Sequence, residues 1–132
     1  MANRESYIEF LLEQLAPLGE VTGRRMFGGH VLYCNGVVFA LVSENALYLK
    51  VDDENRAQFE ARGLDAFRPY EDQTVAMGYF EAPPELFEDR EALMLWGGGA
   101  VAAGRRAAAT RAAKKKRGRS TSRTRASGRG RK

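Results

Sequence analysis

Cysteine and histidine occur once each, at Cys34 and His30, so the chain is short of the side chains on which most metal and nucleophilic chemistry is built. One thiol cannot close an internal disulfide, and one thiol with one imidazole cannot supply a zinc set at the usual ligand spacing. A Cys-His dyad would have to use these two residues. On one strand, four residues at about 3.3 Å each hold them roughly 13 Å apart, against the ~3 Å that proton transfer requires. Long apolar runs are also missing, and none reaches the ~30 Å of hydrocarbon that a membrane helix must cross. Glu5, Glu9 and Glu13 interrupt the region where a secretory signal would need about 7 to 15 uninterrupted apolar residues. The expectation is a soluble cytoplasmic protein with no membrane partner, no metal and no cofactor.

Acidic residues are absent from the end of the chain. Of 21 Lys and Arg, 13 fall from Arg105 onward without a single Asp or Glu, and the other 8 share the preceding residues with all 17 carboxylates. The overall charge of +4 therefore conceals a body of −9 and a tail of +13. With 132 residues there is room for one domain with a core plus this tail. The division expected is 1–103 for the domain and 104–132 for the tail.

What is present in the body reads as an α+β fold. Tyr7, Ile8, Leu11, Leu12 and Leu15 recur at helical spacing with Glu5, Glu9 and Glu13 on the opposite face. Asn3 or Ser6, the latter with Glu9 as a capping box, starts this helix, and Pro17 with Gly19 stops it. Four strands follow, over residues 24–27, 30–34, 37–42 and 47–51. Asn35-Gly36 is a type I′ hairpin signal, because both turn positions need positive φ. Counting back from it sets Cys34 opposite Val37, Tyr33 opposite Val38, Leu32 opposite Phe39, Val31 opposite Ala40 and His30 opposite Leu41. Both faces of that hairpin are apolar, which predicts a helix or a second copy of the chain on the second face.

Asp52 or Asp53 caps a second helix through Arg62, closed by Gly63 and Leu64 in a Schellman-like exit. Strands are expected over 67–70 and 75–81, and Pro83-Pro84 introduces a third helix that weakens at Gly97-Gly98-Gly99. The order helix, strands, helix, strands, helix indicates an antiparallel β-sheet with about three helices, followed by a disordered basic C-terminal tail.

Arg25-Met26-Phe27-Gly28-Gly29, the run from Tyr33 to Leu41, and Leu47-Tyr48-Leu49-Lys50-Val51 resemble the TfoX N-terminal domain family. Phe59, Tyr79-Phe80, Pro83 and Trp96 extend the resemblance over roughly residues 5 to 103. It implies a small α+β domain found in regulators of bacterial competence genes, alone or joined to a separate C-terminal domain. It implies no established enzyme activity and no catalytic residue. Full-length regulators of the family are associated with transcriptional activation together with the cyclic-AMP receptor protein. This chain departs from them in carrying a basic tail where they carry a second domain.

The remaining chemistry-bearing residues have structural explanations. Asp52-Asp53 suits a helix start, Glu71-Asp72 a solvated turn and Glu88-Asp89 an exposed helix face. Phe27-Gly28-Gly29 lacks the lysine and spacing of a phosphate-binding loop, and Gly97-Gly98-Gly99 reads as a flexible helix exit. Arg24 and Arg25 are candidate contacts for an anion or a partner. No catalytic residue is assigned, and the expectation is a non-enzymatic protein.

The tail carries the functional signal. It contains no aromatic and no large aliphatic residue, so it cannot build a core. Disorder is expected in isolation, with Arg105 to Arg117 able to become helical when phosphates neutralise it. Arg105, Arg106, Arg111, Lys114, Lys115, Lys116, Arg117, Arg119, Arg123, Arg125, Arg129, Arg131 and Lys132 are the candidate nucleic-acid contacts. Duplex DNA presents one negative charge per about 1.7 Å, which a string of cations neutralises with release of counterions and little regard for sequence. The reading is a regulatory or nucleoid-associated accessory protein, its body a protein-interaction domain or homodimer and its tail a DNA anchor. Two alternatives stand beside it: a domain that binds or turns over a small molecule, and an interaction module whose tail binds RNA or acidic partners.

Overall fold

The computed structural model of the chain describes residues 3–26, 28–67 and 78–131, with side chains as far as Lys116. It begins with α1 (Glu5–Leu15), whose buried residues Ile8, Leu11 and Leu15 form the apolar stripe expected from their spacing. Neither Asn3 nor Ser6 caps it. Asn3 instead ties the helix start to the sheet: its Nδ2 donates to the Val42 carbonyl and to His30 Nδ1, both at 2.9 Å, and its Oδ1 accepts from Asn45 N at 2.8 Å. Asn45 returns the contact by accepting from Arg4 N. A 3-10 turn over Ala16–Leu18 contains Pro17 and ends at Gly19, with φ +147°.

Five antiparallel strands follow in sequential order: β1 (Val21–Met26), β2 (Gly29–Cys34), β3 (Val37–Ser43), β4 (Ala46–Lys50) and β5 (Tyr79–Glu81). The α+β class with an antiparallel sheet thus holds. Asn35 (φ +51°) and Gly36 (φ +84°) form the predicted hairpin turn, and Cys34 opposes Val37 as counted from it.

Beyond Tyr33–Val38 the expected register fails by one residue. Leu32 pairs with Ala40, Val31 with Leu41 and His30 with Val42, because Phe39 is an extra residue in β3 without a partner opposite it. Phe39 and Ala40 are both fully buried, which strict alternation would forbid. The irregularity lets two successive side chains enter one core.

One face of the sheet, with Leu32, Cys34, Ala40, Val42, Leu47 and Leu49, packs against Ile8, Leu11 and Leu15 of α1 and against Trp96, Ala100 and Val101. The other carries Val31, Tyr33, Val38, Leu41, Tyr48 and Tyr79. None of these six belongs to that core, and only Val31 is buried.

The second helix, α2 (Arg56–Ala61), is shorter than its sequence predicts, since residues 52–55 form a turn of their own. Asp52 Oδ1 accepts from Glu54 N, while Asn55 accepts from Asp52 N and donates to the Lys50 carbonyl. Its exit is the Schellman pattern: Gly63 N donates to Glu60 O and Leu64 N to Phe59 O, with Gly63 at φ +68°. In the next segment Ala66 bridges Phe80 and Phe67 N donates to Tyr79 O. The rest of the two strands expected there, residues 68–70 and 75–77, lies outside the described residues.

The single third helix is resolved into pieces: a 3-10 turn (Pro84–Phe87), a short α3 (Arg90–Ala92) capped by Asp89, a π turn (Leu93–Gly97) and α4 (Gly98–Arg131). The three glycines are not a flexible exit; they sit inside continuous helical structure. Gly97 faces Leu18, and a Cβ there would stand 2.8 Å from Leu18 Cδ1, so the leucine side chain would have to turn aside. Each glycine costs about 1 kcal/mol of helix propensity, and only Gly97 of the three has a close neighbour, Leu18, to set against it.

Candidate functional site

From sequence the body is expected to end at residue 103, with a tail beyond it that is disordered in isolation. The helix does not break there. Ala100, Val101, Ala103 and Gly104 are all buried, and Gly104 lies so close to the Val38 carbonyl that a Cβ would collide with that backbone oxygen. The stripe Gly97, Ala100, Val101, Gly104 recurs at helical spacing and brings α4 down onto the sheet.

One turn further, Arg106 grips the body. Its Nε and an Nη donate to the two carboxylate oxygens of Asp52 at 2.6 and 2.9 Å, and Nε lies 3.4 Å from Glu54. The bidentate bond from Arg106 holds the Asp52 carboxyl below its ordinary range. Arg106, numbered among the expected nucleic-acid contacts, is therefore engaged within the chain.

Past this anchor α4 projects from the body. Arg105, Arg111, Lys114, Lys115 and Lys116 are exposed, separated by Ala107-Ala108-Ala109 and Ala112-Ala113. Arg111 also acts on the body, lowering the Lys50 ammonium pKa after the larger effect of burial. The positions Arg117, Arg119, Arg123, Arg125, Arg129 and Arg131 continue the same helix, and Lys132 lies outside the described residues.

Arg24 and Arg25 are exposed on β1, the edge strand, and alternate between its faces: Arg24 pairs with Val31 and Arg25 with His30. They are not brought to α4's charge by the pairing. Arg25 lowers the His30 pKa in addition to the larger effect of desolvation.

His30 and Cys34 are separately occupied. His30 Nδ1 accepts from Asn3, and the buried Cys34 Sγ donates to the Leu18 carbonyl at 3.5 Å. Burial pushes the Cys34 thiol up, away from the nucleophilic thiolate. The Asp89 carboxylate accepts from Ala92 N at 2.7 Å and so caps α3. Glu71-Asp72 lies outside the described residues. Among the described residues no group of three His, Cys, Asp or Glu has the arrangement to hold a metal ion.

A second surface was not anticipated from sequence. Phe10 stacks edge-on against Phe87 at 5.4 Å yet stays 42% exposed, and Met94 and Leu95 of the π turn are 46% and 59% exposed. Beside Phe87 a groove of about 220 Å³ runs between Glu13, Pro17, Leu86, Arg90 and Leu93. The signal was available in part: Met94-Leu95 adds two apolar residues on the side of the helix away from buried Leu93 and Trp96.

The sequence is 37% identical over 79 residues to the DNA transformation protein TfoX1 of Aliivibrio fischeri, a stretch that is 59% of this chain and 37% of that relative. The chain therefore spans well under two thirds of the relative's length. The model of the TfoX N-terminal domain matches residues 13–104, more than half of the chain, and the protein belongs to the TfoX N-terminal domain family.

Proposed function

We propose that the protein is a non-enzymatic regulatory accessory protein of the bacterial cytoplasm and nucleoid, its family domain contacting a protein partner or a second copy and its basic extension anchoring it to DNA. The observation that carries the reading is the basic segment of α4, fixed to a net-acidic body by Arg106 and exposed beyond it. A DNA transformation protein among its relatives supports the regulatory role. The occupied state of His30 and Cys34 supports binding without turnover.

The body offers the sheet face with Tyr33, Val38 and Leu41, and exposed apolar side chains at Phe10, Met94 and Leu95, for contact. The extension would act through phosphate charge and not through base identity. Contact with about eight phosphates gives a slope of log affinity against log salt of roughly −7. The test is a gel-shift salt titration of the full chain beside K114Q/K115Q/K116Q. Removing three cations should make the slope shallower by up to about 2.7 if all three meet phosphates. Equal affinity and equal slope for the two proteins would end the DNA-anchor reading for this segment.

A further inference from the structure

We propose that the basic segment of α4 enters the major groove of duplex DNA as a helix and does not follow the phosphates as an extended thread. This rests on the DNA-anchor reading and specifies its geometry. A free alanine- and arginine-containing segment must first form a nucleus, which is unfavourable by a factor of roughly 10³. Here the nucleus already exists, since Ala100, Val101, Ala103 and Gly104 are packed on the sheet and Arg106 is bonded to Asp52. Elongation then proceeds through Ala107-Ala108-Ala109 and Ala112-Ala113, the residue type with the best helix propensity.

The distribution of charge selects the partner. At 3.6 residues per turn, Arg105, Arg111, Lys114, Lys115 and Lys116 do not gather on one face. A lipid surface or a flat acidic protein face would engage one side and leave the other cations idle. A groove walled by phosphates on both sides meets cations over more of the helix circumference than a flat surface does. The B-DNA major groove is about 12 Å wide and an α-helix with its side chains about 10–12 Å across. The corresponding groove of A-form RNA is too deep and narrow to admit one. From Gly104 to Lys132 there is no Asn, Gln or aromatic residue, so the helix has no adenine-reading amide and no base-stacking ring. Arginine and lysine on the floor side can donate to guanine, but with no reader of the other bases the groove is occupied chiefly for its charge and shape.

The decisive variant is Ala112→Pro in the full chain, which keeps every cation and breaks the helix at an exposed position beyond the packed turns. The expected result is a loss of duplex affinity on the order of tenfold, with a smaller loss for Ala112→Gly, and an unchanged melting transition of the body. Methyl green, a major-groove ligand, should displace the protein, and netropsin, a minor-groove ligand, should not. Double-stranded RNA of the same length should bind at least about tenfold more weakly. Wild-type affinity in Ala112→Pro, displacement by netropsin, or equal binding to duplex RNA would each overturn helical major-groove binding while leaving nucleic-acid anchoring intact. Failure of the wild-type chain to bind duplex DNA at low salt would overturn both.

Discussion

Gly104 shows how one residue sets the position of the basic extension. Its missing side chain lets the α4 backbone rest on the Val38 carbonyl, with Val37 Cγ1 beside it. Adding a methyl group forces backbone against backbone, where neither partner can rotate away. Gly104→Ala should therefore destabilise the domain by about 1–3 kcal/mol, the usual cost of overpacking. Urea denaturation measures this, and an unchanged midpoint would show that the approach is not close in solution. Gly98, by contrast, has open space where its side chain would stand, so Gly98→Ala is the natural control.

At the scale of elements, the Asp52–Arg106 bond joins the turn before α2 to α4 across 54 residues of sequence. Since the folded Asp52 carboxyl lies below its ordinary value, its contribution is present above the unfolded pKa, near 3.9, and disappears as pH falls through the lower folded value. About a third of each side chain is exposed, so the pair contributes at most about 1 kcal/mol after solvent screening. Asp52→Asn retains an oxygen for the Glu54 amide and removes the charge. Stability measured by urea unfolding from pH 7 downward should fall less steeply below pH ~4 in Asp52→Asn than in the parent. Identical profiles would mean that the ion pair does not form.

For the whole molecule, the organising fact is a net-acidic body with a cationic rod fixed to it. The negative body and the phosphates repel each other, which favours an arrangement in which α4 alone approaches the duplex and the body faces away. The apolar sheet face would then stay available for protein contact. If that contact is a second copy, sedimentation equilibrium should show a concentration-dependent dimer, and Leu41→Lys should shift it to monomer. A monomer at all concentrations would end the homodimer reading and leave a different protein as the partner.

Much of this was legible in the chain itself. The stripe of α1, the Asn35-Gly36 hairpin, the Gly63 exit and the separation of charge all follow from local rules of period, turn conformation and composition, which act within a few residues. The family, too, was readable from the RMFGG and LYLK segments. The slip at Phe39 was not, because Val37–Val42 is apolar throughout and a period of two cannot be read from a run without polar markers. Nor could sequence separate Arg106 from the other tail cations, since its carboxylate partners lie about fifty residues away and only the fold brings them within reach. Sequence determined that a basic extension follows an α+β domain. Tertiary structure decided where the extension begins, because burial of Ala103 and Gly104 and the grip on Asp52 depend on surfaces that exist only once the sheet is assembled.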